Sequence, residues 1–223
     1  MPSGSARSTP PPSRPATKRL PASDRREQIL RQAMACFAEF GFRGTTVRTL
    51  AERVGLSEAA LYRYFPSKEA LYAAIIDHKI ADTDLEALLE PLAERGDDRA
   101  FFSRLALEIF DRVESDPTFL RLLTFSALEG HSLARPFFDT RVRRLREFVS
   151  EYIARRVAEG DFVAVDPIIA SRAFLGMVFD HLNVRRVLGQ TEAYPQPLEE
   201  VAETFVSIFL RGMQVHADAG PTS

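Results

Sequence analysis

The stretch from Thr45 to Lys68, TTVRTLAERVGLSEAALYRYFPSK, restricts what this chain can fold into more than any other part of it. Thr46 is placed to cap a helix over about 47–54, in which Leu50, Ala51 and Val54 share one apolar stripe. Gly55 can take the left-handed backbone that ends this helix, because it has no side chain to clash. Ser57 is placed to cap a second short helix, whose Ala60, Leu61 and Phe65 continue the same small core. Two short helices joined through a glycine turn make a helix-turn-helix, a unit whose second helix enters the major groove of DNA.

At the level of individual positions the stretch resembles the DNA-binding signature of the TetR family of bacterial regulators. The positions that carry the likeness are Gly41, Thr45, Thr46, Leu50 and Ala51, then Gly55, Leu56 and Ser57, then Leu61, Tyr62, Tyr64, Phe65 and Lys68. Ala59 stands where many members carry Gly or Pro, and it is small enough for the same close approach to DNA. Beyond this region the chain is similar to the family only in helical layout and length. The resemblance implies an all-α protein of about nine helices: a three-helix head with the helix-turn-helix, then a helical ligand-binding and dimerisation domain. It also implies a homodimer on a palindromic duplex and a small-molecule effector.

Composition agrees with two helical units. With 223 residues, 45% hydrophobic and 27% charged, the chain can hold a small head and a larger body with its own core. No apolar run of about 18 residues is present, so no membrane span is expected, and the N-terminus lacks the apolar region of a secretory signal. A cytoplasmic location is the resulting expectation. The single Cys36 cannot form an internal disulfide and is expected as a buried thiol. His78, His131, His181 and His216 lack metal-ligand spacing, and no nucleophile with a base or phosphate-cradling glycine loop occurs; neither metal, cofactor nor enzymatic activity is expected. The net charge of −2 hides a division: residues 1–80 hold 13 Lys/Arg against 7 Asp/Glu, and residues 81–223 hold 16 against 24. A basic head on an acidic body suits a polyanion at one end.

Punctuation along the chain sets the expected boundaries. Residues 1–22 hold six of the 14 prolines and no acidic residue, and are expected to be a disordered tail. Its Arg7, Arg14, Lys18 and Arg19 either reach DNA as an arm or stay solvated. The helix-turn-helix domain is expected over 23–70, the effector-binding and dimerisation domain over 71–217, and a second tail over 218–223. The first helix should start at Asp24, with Glu27 completing a capping box, and run to Phe40 with Ile29, Ala33, Phe37 and Phe40 buried. The fourth should start at the cap Ser67 and reach about Leu89, stopped by Pro91. Five more follow, over 98–114, 117–129, 133–159, from Asp166–Pro167 to near Gly189, and from Pro197 to about His216.

Candidate contacts sort by chemistry. Thr46 and Ser57 sit at helix N-termini, which favour phosphate. Tyr62 and Tyr64 offer hydroxyls to phosphate; Tyr62 alternatively packs on a thymine methyl or in the core. Lys68 matches the phosphate-contacting lysine of the family, and Arg48 a guanine-reading arginine of some members. Glu58 and Ala59 face base edges, with Glu58 either accepting from cytosine N4 or complementing the helix dipole, and Arg63 reads a base or a phosphate. In the body, Ala173, Gly176, Val201, Phe205, Ile208, Phe209 and Met213 either pair with a second subunit or belong to the internal core. Phe102, Phe110, Phe125, Phe138, Phe174 and Met177, with Arg141 and His181 as polar groups, either line an effector cavity or are plain core. Two functions fit these features: a repressor released from its operator by a small hydrophobic effector, and a DNA-bound adaptor acting through a protein partner.

Overall fold

Wherever apolar residues recur with a helical period the chain is helical, and among the described residues there is no strand. The computed structural model describes residues 22–81 and 85–215. The expected tails and basic arm, apart from Ala22, lie outside those residues, as does His216. The helices are α1 (Ala22–Gly44), α2 (Val47–Val54), α3 (Glu58–Tyr64), α4 (Lys68–Ala81), α5 (Leu85–Glu94), α6 (Asp98–Ser115), α7 (Thr118–Glu129), α8 (135–159), α9 (Pro167–Leu182) and α10 (Leu198–Met213). Taking α4 and α5 as the one helix expected there, the layout is the nine-helix one.

The caps act largely as their residue types dictate. Asp97 accepts from Ala100 N, Asp116 from Thr118 N, and Asp166 from Ile168 N and Ile169 N, each satisfying amides that a helix start leaves free. Four expectations are corrected. α1 begins at Ala22, so Asp24 lies in its first turn, and Glu27 pairs with Arg31 at 3.0 Å instead of closing a capping box. Phe40 is 45% exposed, because the next core place after Phe37 goes to Phe42, which stacks on it at 5.7 Å. Pro91 lies inside α5, where burial of Leu89 and Ala93 carries the helix on to Glu94 before Gly96 (φ 63) closes it. α10 stops at Met213, where Val163 N donates to Met213 O at 2.7 Å and Val215 N to Asp161 O at 3.1 Å.

Two apolar clusters organise the molecule. The first joins Ile29, Phe37, Leu50, Leu61, Tyr72 and Ile75 of α1 to α4, and it takes in Leu122 and Leu123 of α7. The head is therefore packed onto α7 through shared core. The second cluster is built by α5, α6, α8, α9 and α10 around Phe102, Phe174 and Phe209, whose ring centroids stand 4.7, 4.8 and 5.1 Å apart. A buried polar knot ties α6 to α8: Asp98 accepts from Tyr152 Oη at 2.5 Å and from Arg156 Nε and Nη2 at 2.9 and 3.2 Å. Among the described residues no helix is long and apolar enough to cross a membrane.

Candidate DNA-binding interface

The helix-turn-helix is built as its capping residues require. Thr46 Oγ1 accepts from Thr49 N at 3.1 Å, and Ser57 Oγ accepts from Ala60 N at 3.2 Å. Between them Gly55 (φ 67) adopts the left-handed conformation, and Leu56 N donates to Ala51 O at 2.9 Å. Arg25 of α1 reaches across to donate to Val54 O at 2.9 Å, closing the end of α2 from another helix. Leu50, Ala51, Val54, Leu61 and Phe65 are buried, so the crossing of α2 and α3 is set by packing against α1 and α4.

That burial leaves a polar surface on the other side. Thr46, Arg48, Ser57, Glu58, Ala59, Tyr62 and Arg63 are exposed, and Tyr64 is half-buried. Tyr62 is 46% exposed, which removes its core alternative. Arg48 donates to Glu52 at 3.0 Å, one turn along α2, with both side chains largely in solvent. Such exposed pairs contribute little, so the guanidinium can exchange this partner for another. Cys36 is buried in α1, and burial pushes its thiol above the ordinary value, so it stays an inert thiol.

Lys68 makes contacts within the head that its spacing did not reveal. Its Nζ donates to Phe42 O at 2.8 Å and to Thr45 O at 2.9 Å, and lies 4.2 Å from the centroid of the Phe42 ring. An ammonium has three N–H donors, so the two carbonyls leave one over.

The side chains expected around an effector cavity do not line one cavity. Phe102, Phe110 and Phe174 are fully buried and fill the space between the body helices. Phe125 instead faces α1, where a Cβ added at Gly41 would stand 3.4 Å from its ring. Phe138, 40% exposed, and the half-buried Arg141 sit on a π turn (Phe138–Val142) within α8; its extra residue shifts the helical register that the sequence reading carried unbroken through 133–159. Only Met177 and His181 line a common recess, of about 450 Å³, between α9 and α10 with Asp180, Val184, Tyr194 and Phe205. Burial, helped by nearby Arg185, holds the His181 imidazole below its usual value, so it is neutral at pH 7.

The dimer candidates divide in the same way. Val201, Phe209 and Met213 are buried in the chain's own core, and Phe205 is half-buried beside His181 at 5.8 Å. Ala173, Gly176 and Ile208 face out, and Ile208 is 59% exposed. Near them Ile168 and Ile169 are each 65% exposed. The apolar surface that α9 and α10 leave uncovered lies at these outward positions.

Known proteins share both halves of this arrangement. The family model described as "Bacterial regulatory proteins, tetR family" matches residues 29–75, and that described as "AefR-like transcriptional repressor, C-terminal domain" matches residues 106–213. The nucleoid occlusion factor SlmA of Haemophilus influenzae (strain PittGG) is 34% identical over 164 residues, covering 70% of this chain and 73% of that protein. The HTH-type transcriptional regulator RutR of Escherichia coli (strain K12) is 33% identical over 148 residues, covering 65% and 68%. The chain belongs to the TetR family. The crystal structure of the TetR family transcriptional regulator PfmR from Thermus thermophilus has the same fold, with a TM-score of 0.66 at 29% identity, covering 82% of this chain and 97% of that one. The matched N-terminal family model describes bacterial regulatory proteins, and RutR and PfmR are both transcriptional regulators.

In this TetR-family chain several structural contributors to the head escaped the sequence reading. Thr45 is fully buried, and its hydroxyl donates to Gly41 O at 2.7 Å, closing α1. Arg25 and Lys68 act on backbone carbonyls, and Glu129 of α7 on backbone amides. Backbone partners leave no mark in the residue pattern, so only Thr45, as part of the Thr-Thr pair, had a signal that could have been followed.

Proposed function

We propose that the protein is a homodimeric repressor that occupies a palindromic operator and is released by a small apolar effector. The observation that carries this reading is the exposed face of α2 and α3. Two capped helix N-termini, Arg48, Tyr62 and Arg63 stand together there, while Leu50, Ala51 and Val54 of α2 and Leu61 of α3 turn into the core. Thr46, Ser57, Tyr62, Tyr64 and the free donor of Lys68 hold phosphates; Arg48, Glu58, Ala59 and Arg63 meet base edges. A short recognition helix reads few bases, so two heads act together, their α3 helices spaced by roughly 34–36 Å or a multiple. Pairing runs through Ala173, Gly176 and Ile208 on α9 and α10.

The effector site in this proposal is the recess between α9 and α10, a volume in the range of small-molecule pockets, with Met177 and Phe205 as apolar walls and neutral His181 as the orienting group. It opens beside the outward faces of α9 and α10, so a ligand there changes how two subunits meet. Release requires the effector to favour the arrangement that cannot span both half-sites. Selection of bound sequences from a random duplex pool tests the first part: a two-fold symmetric site, bound with strong salt dependence, is the expected result. Failure to retain any duplex at low salt overturns it. A second reading, a DNA-bound adaptor acting through a protein partner, is favoured by the filled core around Phe102 and Phe174 and by the likeness to a nucleoid occlusion factor. A thermal-shift screen of apolar compounds separates the two, since the repressor reading requires a stabilising ligand that also lowers operator affinity.

A further inference from the structure

The kinked end of α1 and the turn that leads from it into α2 are held from both sides by charged groups that belong to other helices. Gly41 (φ 70, ψ 175) kinks the end of α1 and aims the next two amides at α7. One carboxylate takes both: Glu129 Oε2 accepts from Phe42 N at 2.9 Å, and Oε1 from Arg43 N at 3.1 Å. On the far side Lys68 takes the carbonyls of Phe42 and Thr45. The turn is thus gripped through its N–H groups by an anion and through its C=O groups by a cation, both charge-assisted.

Glu129 differs from Lys68 in where it comes from. It is the last residue of α7, locked by Gly130 in the left-handed conformation (φ 69), and its side chain is only 17% exposed. His131 Nε2 lies 3.2 Å from Oε2, within ion-pair range but without the alignment of a hydrogen bond. The glycine at 41 is needed for the contact itself, since a Cβ there would stand 2.5 Å from Glu129 Oε1. Immediately after the gripped turn comes Thr46, the cap of α2 and the start of the exposed face.

We propose that Glu129 is a positioning residue for DNA binding, a clasp through which α7 sets the α1–α2 turn and, with it, the N-terminal end of α2. A displacement of α7 along α1 breaks both carboxylate bonds together, so the placement of α7 is passed to the head at this point. The inference rests on the reading that the head binds duplex, and the two can fail separately.

The test uses the full-length protein and the isosteric Glu129→Gln beside Glu129→Ala. Alanine removes both acceptors; glutamine keeps one and turns an N–H₂ toward the other amide. Hydrogen exchange followed by mass spectrometry should show residues 42–48 exchanging faster by on the order of tenfold or more in Glu129→Ala, with Glu129→Gln between it and the wild type. Exchange over α8 to α10 should stay unchanged. Affinity for the duplex selected by the wild type should fall about tenfold in Glu129→Ala and less in Glu129→Gln. Unchanged exchange over 42–48 overturns the clasp. Faster exchange with duplex affinity within about twofold of wild type overturns its role in positioning. A wild type that selects no duplex refutes the proposed function instead, and the exchange comparison still decides whether the clasp exists.

Discussion

Replacing Asp98 by alanine should destabilise the body by about 3–4 kcal/mol, and the structure shows where that figure comes from. Asp98 is in the first turn of α6 and accepts three hydrogen bonds, one from Tyr152 and two from Arg156. Burial first, and Asp98 second, push the Tyr152 hydroxyl well above its ordinary value, so it remains a donor throughout the useful pH range. Without Asp98 this hydroxyl is buried beside no carboxylate, a loss of about 1–3 kcal/mol. Arg156 loses a bidentate partner but keeps Asp161 at 2.8 Å and Glu159 at 2.5 Å, so only part of the penalty of about 3–5 kcal/mol for breaking a buried pair applies. Asp98→Asn keeps one acceptor and should cost about 1.5–2 kcal/mol. Urea unfolding at fixed protein concentration measures both, and the alanine variant should melt about 6–16 °C lower. A double-mutant cycle with Arg156→Ala should show strong coupling. A loss below about 1 kcal/mol for Asp98→Ala, or simple additivity in the cycle, would refute the reasoning.

Three further outcomes follow from the same geometry. Arg48→Ala should weaken operator binding by about tenfold or more at a single base pair in a competition assay across substituted sites, whereas equal weakening on all sequences would mark Arg48 as a phosphate contact. Lys68→Ala should lower stability by about 1.5–3 kcal/mol as well as DNA affinity, because it frees Phe42 O and Thr45 O; unchanged urea stability would disprove the internal staple. Ile208→Glu should give a folded monomer by light scattering, while Phe209→Glu, one residue along α10, should unfold the body because it buries a charge. Alkaline stability supplies a fourth check. Burial pushes the Tyr72 hydroxyl up to about 12 from 10.0 in the unfolded chain. The unfolded state ionises first, so this contribution is complete below pH 10 and is lost as pH rises toward 12. Urea midpoints should therefore shift in favour of Tyr72→Phe across that window; a constant difference between the two proteins would count against the burial argument.

The parts of the fold legible in the chain were those decided within a few residues. Thr46, Ser57, Asp97 and Asp166 cap because their oxygens reach amides two or three residues ahead, and Gly55, Gly130 and Gly160 end helices because their own backbone can turn left-handed. The exposed face of the head was legible for the same reason: once α2 and α3 are placed and their apolar stripe is turned inward, Arg48, Glu58 and Tyr62 have only the solvent side left. Phe40 and Pro91 mark the limit of that logic, since packing against other helices gave Phe42 the core place and, by burying Leu89 and Ala93, carried α5 past its proline.

What tertiary structure alone decided was partnership over long separations. Val201, Phe209 and Met213 share a helix and a chemistry with Ile208, yet they are core and Ile208 is surface. Apolar burial is non-directional and does not name the surface that provides it. The same indifference let Phe102 and Phe174 fill a space that their composition equally allowed to be a cavity. Glu129 meets the amides of Phe42 and Arg43 across 87 and 86 residues, and backbone groups are the same at every position, so no side-chain pattern could announce that contact. Local rules placed the reading head; the packing of distant helices determined what holds it and which faces remain for a partner.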